Sequence, residues 1–358
     1  MNKFPASAPL RWRWPLRGLV LAAAFIPFVA LAQGYPNKPI RLVVPFAPGG
    51  SSSIVARSIA AEMEKGLGQA IIVENKPGGG GNVAMLEVAR ADPDGYTLII
   101  GHVGSLAMNP FMYDKLPYDV DRDYAPVSLL AIVPAIFVVH ESVPAKDLRA
   151  FVALAKKTPG KIFYGSAGNG SAGHLAMEYL KQATGIDIQH VPYKGTGPNI
   201  IDLVAGRTQA ASAGTPPLMP HIKAGKLRAI AVGTAKRLHT LPEVGTVAEQ
   251  GYPGFETSQW YGLNAPAKTP ERIIRTLSLE AAKAAMSPKV LERFAADDAE
   301  AVGSRPEEYA AYIKKEQERW GKVVRAAGVK ADCAAPRHCT GIRTSIARRA
   351  SLGAGLEN

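Results

Sequence analysis

The glycine-rich stretch YGSAGNGSAGH, residues 164–174, contains the residue types and spacing with the clearest potential for chemistry. It has the spacing G-x-G-x-x-G at Gly168, Gly170 and Gly173, follows an apolar run and precedes an amphipathic one. A strand-to-helix turn of this kind can bind a dinucleotide, carry a nucleophilic serine, or hold a small anion on its backbone N–H groups. Each of these functions needs further residues elsewhere in the sequence.

The first two functions lack the residues they require. A dinucleotide site requires an acidic residue about twenty positions after the glycines, which binds the ribose hydroxyl. The nearest candidate, Asp187, comes too early and precedes the next predicted strand. A nucleophile elbow requires G-x-S-x-G, and the first glycine around Ser171 is displaced by one position. Because a catalytic triad is assembled in space, an exported serine hydrolase using Ser171 stays open as an alternative.

A second stretch favours the third function, an anion site. PFAPGGSSS, residues 45–53, also passes from a predicted strand through a glycine turn into a serine-rich helix start. Backbone N–H groups and the helix dipole bind carboxylates or phosphates at such a turn without a cationic side chain. Two such turns, one from each lobe of a two-lobed protein, can hold a carboxylated ligand between them. The alternative for either turn is a tight bend and a capping serine with nothing bound.

The N-terminus has the pattern of a secretory signal peptide. A basic segment precedes the apolar run GLVLAAAFIPFVAL, and Ala30 and Ala32 provide the small-x-small cleavage pattern. The apolar run is shorter than the roughly twenty residues that span a bilayer, and Pro27 interrupts it. We therefore predict that residues 1–32 are a signal peptide cleaved after Ala32, and that the protein is periplasmic.

Charge and cysteine content exclude other classes of partner. The formal net charge is +12; residues 1–32 carry +4 and residues 333–358 carry +3, which leaves a dispersed +5 on the body. Without a basic stripe and interleaved aromatic residues, no nucleic-acid partner is expected. The two cysteines, Cys333 and Cys339, both lie in the tail, and whether they form a disulfide stays open. No metal site and no cofactor is expected.

Apolar runs and amphipathic segments alternate along the body. This alternation predicts an α/β fold, a largely parallel sheet covered by helices. The long apolar run at residues 127–140, which Pro134 interrupts, is interpreted as a crossing between two lobes, and residues 227–234 as the return crossing. Lobe 1 is predicted to consist of two segments, residues 35–134 and 235–332. Lobe 2 is predicted to consist of residues 135–234.

Seven motifs, in this order, cover nearly the whole body: YPNKPIRLVVPFAPGG, ENKPGGGGN, DGYTLIIG, YGSAGNGSAGH, HVPYKGTGP, LMPHIKAGKLRAIAV and WYGLNAPAKTPERI. Together they resemble the Bug family, the extracytoplasmic solute receptors of tripartite tricarboxylate transporters, over about residues 35–330. The resemblance implies a type II periplasmic-binding-protein fold, with two lobes around a ligand cleft joined by hinge strands.

The resemblance also implies a function. A non-catalytic protein of this family captures a small carboxylated solute in the periplasm and delivers it to the membrane permease subunits of a tripartite transporter. We expect a monomer without a cofactor. A receptor-like protein that senses a solute and feeds a signalling partner stays open as a second alternative.

In that family the carboxylate is held by the first strand-to-helix loop and by the glycine-serine loop of the second lobe, partly through ordered water. His174 and Lys194 are expected to be structural and solvated, respectively. Carried over by motif, the resemblance implies this ligand site: Ala47, Gly49, Gly50, Ser51, Ser166, Ala167, Gly168, Ser171 and Tyr193.

The sequence departs from the family pattern at three places. The family's first loop commonly continues with Gly-Thr-Asp, where this chain has three serines, residues 51–53. Family members often carry Phe-Asp where this chain has Ser212 and Ala213. If that acid helps to select the ligand, the solute here differs from the usual amino acids and dicarboxylates. The basic tail at residues 333–358 has no counterpart in the family pattern, and we expect it to be disordered.

Overall fold

A computed structural model describes residues 34–327. The predicted signal peptide and the predicted disordered tail lie outside the described residues. The described chain from Pro36 onward forms one compact unit. None of the helices in the described part of the chain is long and apolar enough to cross a membrane.

The described residues form ten strands and eleven α-helices, and two irregular turns, a 3₁₀ turn at Gly79–Gly81 and a π-helical turn at Gly104–Met108, lie between them. The strands are β1 (Ile40–Val44), β2 (Ile71–Asn75), β3 (Thr97–His102), β4 (Tyr124–His140), β5 (Phe163–Ser166), β6 (Gln189–Pro192), β7 (Ala210–Gly214), β8 (Leu227–Val232), β9 (Ser258–Pro266) and β10 (Glu300–Ala301). The helices are α1 (Ser51–Leu67), α2 (Asn82–Ala89), α3 (Asn109–Met112), α4 (Val120–Asp123), α5 (Leu148–Lys157), α6 (Ala172–Thr184), α7 (Thr196–Val204), α8 (Thr215–Lys223), α9 (Glu271–Ala285), α10 (Pro288–Ala295) and α11 (Pro306–Ala327).

The strands form two half-sheets that share β4. The first half-sheet has the order β2-β1-β3-β9-β4, with β10 also on β4, and the second has the order β4-β7-β5-β6, with β8 also on β4. β1 pairs in parallel with β2 and β3, and β5 pairs in parallel with β6 and β7. Strands linked through helices can pair in parallel because the helix covers the return path. The predicted α/β class is therefore confirmed.

β4 changes partners in its middle. Its first part pairs with β9 as far as Pro134, which lies opposite Ser258, and its second part pairs with β7 from Ala135, opposite Gly214. Proline lacks an N–H donor and interrupts a hydrogen-bonded ladder. The run at residues 127–140 is thus a single strand that belongs to both half-sheets.

The chain returns to the first half-sheet at β9, later than the crossing predicted at residues 227–234. β8 pairs with the second part of β4 alone, and β9 begins at Ser258. Between them, Leu238 and Val244 pack in one apolar cluster of the second half-sheet and Phe255 packs in the other. We therefore propose that lobe 2 extends to about residue 257, beyond the predicted boundary at residue 234.

Each half-sheet has its own core. In the second half-sheet the side chains of β4 alternate, with Ile136 and Val138 in one buried cluster and Phe137 and Val139 in the other, as expected for a strand covered by helices on both faces. The core of the first half-sheet contains the fully buried ring systems of β9 and α11, Trp260, Tyr309 and Trp320.

Glu316 of α11 ties this helix to β9. The carboxylate is 4% exposed and accepts hydrogen bonds from the indole N–H groups of Trp260 (3.0 Å) and Trp320 (3.1 Å). If its acceptor is removed, a buried donor no longer gains a hydrogen bond that offsets the free energy lost when it left water.

We predict that Glu316→Ala lowers the free energy of unfolding by about 2 to 4 kcal/mol, because two buried indole N–H groups lose their acceptor. The matched control is Glu318→Ala, which makes the same chemical change at an exposed position of the same helix and is expected to change that free energy by less than about 0.5 kcal/mol. Urea unfolding of both variants measures the difference, and equal losses would contradict the structural role of Glu316.

Candidate functional site

The first loop of the site joins β1 to α1. Gly49 has a positive φ of 90°, and Gly50 is the N-cap of α1, without a side-chain capping bond. Ser51 is the first residue of α1, so the alternative interpretation of a capping serine does not apply to this turn. Among the described residues, the backbone N–H groups of Ser51 and Ser52 have no hydrogen-bond acceptor, and they are among the groups that a helix start leaves unpaired.

The second loop joins β5 to α6. Ser171 is the N-cap of α6, and its Oγ accepts the backbone N–H of His174 at 3.3 Å. The next two backbone N–H groups, of Ala172 and Gly173, have no acceptor within the described chain. Ser171 therefore caps α6, while two further donors stay available.

Both helix starts face one small internal space between the lobes, here called the inner cavity. Its volume is about 20 Å³, enough for about one water molecule. The positive ends of the dipoles of α1 and α6 meet at this space, and this arrangement favours an anion. The lining residues are Phe46, Ser51, Ser52, His102, Ala167, Ser171, Ala172, Gly173, Thr196, Ser212, Gln259 and Tyr261.

His102, at the end of β3, supplies a neutral imidazole to this space. Its Nδ1 accepts the backbone N–H of Ser105 (3.3 Å), so the proton of the neutral ring lies on Nε2. Burial lowers the pKa of His102 to about 3. The ring therefore stays uncharged at neutral pH and presents an N–H donor.

Two stacked histidines lie behind the second loop. The rings of His174 and His190 are 4.2 Å apart, His174 Nδ1 accepts the N–H of Gly170 (3.3 Å), and His190 Nε2 contacts the hydroxyl of Ser166 (2.7 Å). Burial lowers the pKa of His174 to about 4 and that of His190 to about 3. This pair fixes the loop's backbone, so His174 has the structural role predicted for it.

The two lobes touch directly beside the inner cavity. The backbone N–H of Ala47 donates to the carbonyl oxygen of Lys194 at 3.1 Å. At the same contact Gly49 lies against Gly197, so closely that a methyl group at Gly197 would overlap the carbonyl oxygen of Pro48. The structure is therefore that of a closed cleft.

A second, solvent-open space of about 440 Å³, here called the vestibule, lies outside the inner cavity. Tyr193 lies there, and its hydroxyl donates to Asp202 at 2.8 Å. Desolvation first, and then the Asp202 carboxylate, raises the pKa of Tyr193 to about 12. The residues that line the vestibule are Phe46, Gly78, Gly79, Gly80, Gly81, Tyr113, Ala167, Gly168, Asn169, Pro192, Tyr193 and Lys194.

The sequence-predicted ligand residues divide into three groups. Ser51 and Ser171 line the inner cavity, Ala167 lines both the inner cavity and the vestibule, and Gly168 and Tyr193 line the vestibule alone. The remaining four lie behind or beside these spaces: Ala47, Gly49 and Gly50 at the contact between the lobes, and Ser166 beneath the second loop.

Sequence reasoning missed most of the side chains that line the inner cavity. His102 comes from the end of β3 and Ser212 from the middle of β7, while Gln259 and Tyr261 alternate with the core residue Trp260 along β9. The alternation of SQWYGL was a usable signal, because residues 259 and 261 must face the side opposite to residue 260. Tyr261 accordingly lines the cavity, while Trp260 packs in the core.

The geometry gives no support to the hydrolase alternative. In the described residues, Ser171 Oγ accepts a backbone N–H and has no hydrogen bond to a histidine ring. A triad needs a histidine beside the nucleophile and an acid beside that histidine. The described chain also contains no cluster of three or more His, Cys, Asp or Glu side chains that could hold a metal ion.

A two-lobed α/β fold with a closed cleft, and helix starts that face it from both lobes, defines a periplasmic binding protein. Structural comparison agrees: the periplasmic binding protein BugD superposes with a TM-score of 0.81 and 35% identity over 83% of this chain and 99% of BugD. The chain belongs to the tripartite tricarboxylate transporter receptor family, whose sequence pattern matches residues 55–329.

Two further similar structures contain ligands. Rpa4515 of R. palustris, solved with adipate, is 37% identical with a TM-score of 0.80 over 82% of this chain and 98% of that one. MatC from Rhodopseudomonas palustris, with bound malate, is 35% identical with a TM-score of 0.79 over 81% of this chain and all of MatC. The predicted Bug-family membership and two-lobed fold are therefore confirmed, and the chain is a periplasmic solute-binding receptor.

Three histidines, the buried His102 and His174 and the half-buried His190, predict an acid-sensitive fold. Each has a lower pKa in the folded chain than the usual value of about 6.5 in an unfolded one. Below pH 6.5 the unfolded chain therefore binds protons that the folded chain does not, and the free energy of unfolding falls as the pH falls. Between pH 7.5 and 5.5 we expect a loss of about 1.4 kcal/mol per histidine, measured by urea unfolding.

The variant His102→Asn should make this pH dependence shallower by about one third, since one of three groups is gone. The matched control, His239→Asn, changes an exposed histidine and should leave the dependence as it is. An unchanged slope in the His102 variant would show that this ring does not titrate on unfolding.

The contact between the lobes generates a second prediction. Gly197→Ala places a methyl group against the Pro48 carbonyl oxygen only when the cleft is closed, so it should weaken ligand binding by about tenfold or more. The unliganded protein should keep its unfolding midpoint, because alanine suits a helix. Binding calorimetry and thermal unfolding measure the two effects.

Gly66→Ala is the matched control for this substitution. Its methyl group would meet the flexible side chain of Glu280 in α9, far from the cleft contact. Ligand affinity should therefore stay unchanged in this variant. Equal affinities of the Gly197 and Gly66 variants would mean that the Gly197 contact does not form in the ligand-bound protein.

Proposed function

We propose that this receptor captures a small carboxylated solute in the inner cavity and delivers it to the permease subunits of a tripartite transporter in the membrane. The observation that carries the proposal is the convergence of two helix starts on one buried space. Four residues that line that space, Ser51, Ser52, Ala172 and Gly173, have backbone N–H groups without an acceptor among residues 34–327.

An anion satisfies all the requirements of this arrangement. A carboxylate has two oxygens with about four acceptor sites, and N–H bonds to an ionised oxygen are the stronger kind of hydrogen bond. Both helix dipoles add partial positive charge. Neutral donors alone can therefore hold the ligand, and no lysine or arginine is needed at the inner cavity.

The space available makes ligand entry depend on movement of the lobes. The closed cavity of about 20 Å³ is too small for a whole dicarboxylate. A solute therefore enters while the lobes are apart, and closure then surrounds its carboxylate with donors from both lobes. The solute's remaining atoms can extend toward the vestibule, which shares Phe46 and Ala167 with the inner cavity.

The malate and adipate of the two similar structures support this substrate class, because both compounds are dicarboxylates. Family membership supports the permease as the acceptor of the solute. A periplasmic receptor reaches its compartment by export, and for this chain we propose cleavage of the N-terminal signal after Ala32. The role is that of a binding protein, and no reaction is assigned to the site.

The proposal predicts that a carboxylate stabilises the exported protein against heat. At a hundred times its dissociation constant a ligand adds about 2.7 kcal/mol to the free energy of unfolding. The Ser52→Ala variant removes a buried hydroxyl at the inner cavity and should weaken binding about tenfold, since hydrogen bonds to charged groups contribute more than neutral ones. Thermal unfolding against a panel of mono-, di- and tricarboxylates, followed by calorimetry, measures both.

Ser58→Ala provides the matched control, because Ser58 lies two turns further along α1 and away from the inner cavity. It should bind like the unmodified protein. Absence of a saturable shift with every carboxylate, after refolding to remove any ligand carried through purification, would reject the proposed function.

A further inference from the structure

A groove of about 580 Å³, here called the lobe 2 groove, lies away from the cleft. It shares no lining residue with the inner cavity or the vestibule. Its walls come mainly from the start of α5, from β8 and from the segment between β8 and β9. Ligand-binding clefts have volumes of about 300–1,000 Å³, so the groove is large enough to hold a partner. Capture of a solute between the lobes does not use it.

β8 has an open edge along this groove. Among the described strands it pairs with β4 alone, and residues 227–230 line the groove. The chain itself covers only the end of that edge, where Val232 donates its N–H to the carbonyl oxygen of Gly245 (3.1 Å) and Gln250 Nε2 donates to the carbonyl oxygen of Ile230 (2.9 Å). An open strand edge can pair with another extended chain.

Basic side chains outnumber acidic ones in the lobe 2 groove. Four basic residues and two acidic ones line it, which gives a formal net charge of +2. One of the two acids, Asp147, is engaged within the protein, because its carboxylate caps α5 and accepts the N–H of Ala150 at 2.8 Å. The other acid is Glu243. The groove therefore favours a negatively charged partner.

Three of the four basic side chains have no carboxylate partner among the described residues. Lys146 forms no ion pair there, and Arg149 and Arg228 donate only to backbone carbonyl oxygens, at 3.0 to 3.3 Å. The fourth, Arg237, pairs with Glu249. Hydrogen bonds between a guanidinium and a carboxylate are stronger than bonds to a neutral carbonyl, so an acidic partner adds interactions that the chain does not supply itself.

We propose that the lobe 2 groove is the docking site for an extended acidic segment of the permease subunits, which pairs with the open edge of β8 as an additional strand. This inference rests on the proposed function and names the surface by which the receptor contacts its transporter. The carboxylates of the segment contact Lys146, Arg149 and Arg228.

An extended segment matches the groove better than a free anion does. A small anion can pair with the basic side chains, but it leaves the edge of β8 without a strand. Successive side chains of a strand point to opposite sides, so a segment that alternates acidic and apolar residues presents carboxylates on one side. Its apolar side chains can then cover the apolar residues of the groove, among them Ile222, Leu241 and Val244.

Calorimetry with the purified exported protein and synthetic peptides tests the groove without a permease. The probe is a capped peptide with the repeated sequence Val-Asp. One comparison peptide has lysine in place of each aspartate, and the other is the acidic peptide with methylated backbone nitrogens, which keeps the carboxylates but cannot donate to a strand edge. We expect saturable binding of the unmethylated acidic peptide only.

The double variant Lys146→Glu with Arg149→Glu reverses two charges at exposed positions of the groove. It should weaken binding of the acidic peptide at least about tenfold, because two attractions become repulsions. The matched control, Lys314→Glu with Lys315→Glu, reverses two charges at exposed positions of α11 and should change the affinity less than about twofold. Solute affinity should stay unchanged in both double variants, since neither touches the inner cavity or the vestibule.

Uptake by cells tests the permease as the partner. The two double variants replace the native protein in cells of the source organism, and uptake of the carboxylate that binds best in the thermal-unfolding panel is measured. The groove variant should lower uptake about tenfold at unchanged solute affinity, in proportion to its weaker docking. The α11 variant should support normal uptake.

The outcomes separate this inference from the proposed function. Equal binding of the methylated peptide would overturn strand pairing, and equal losses in the two double variants would overturn the groove as the place of binding. Normal uptake with the groove variant would overturn the permease as its partner. Absence of binding by every carboxylate would reject the proposed function, whereas the peptide measurement needs no solute and still decides whether the groove binds an acidic strand.

Discussion

The structure depends on one constraint: the backbone N–H groups at the start of a helix need acceptors, and a buried helix start cannot obtain them from bulk water. α1 and α6 bring their first turns to the same buried space from opposite lobes. An anion between them satisfies both helices at once. Closing the lobes and binding the ligand are therefore coupled, because each lobe alone supplies only half of the donors.

This use of the backbone explains which parts of the site the sequence could predict. Glycine turns followed by serines predict helix starts, and the structure places α1 at Ser51 and α6 directly after Ser171. The side chains that complete the cavity come from β3, β7 and β9, more than a hundred residues apart at the extremes. Which of their side chains face the cavity depends on strand register, and local sequence does not determine register.

The lobe boundary that we propose near residue 257 is hard to predict from the sequence for a related reason. Residues between β8 and β9 show short turns and scattered apolar residues, without the period of a helix or a strand. Leu238, Val244 and Phe255 are buried because the second half-sheet leaves two faces to cover. Their burial depends on the assembled sheet, so the local sequence of this segment does not indicate it.

The change of partners at Pro134 has a mechanical consequence. The pairings of β4 on the two sides of the Pro134–Ala135 bond belong to different half-sheets, so a bend at this bond would leave the ladder within each half-sheet intact. Opening then needs no local unfolding of either lobe. The contacts that must break on opening are then those around the cargo and those between the lobes, at Ala47 and Lys194 and at Gly49 and Gly197, and repeated cycles of loading and unloading would leave both halves of the molecule intact.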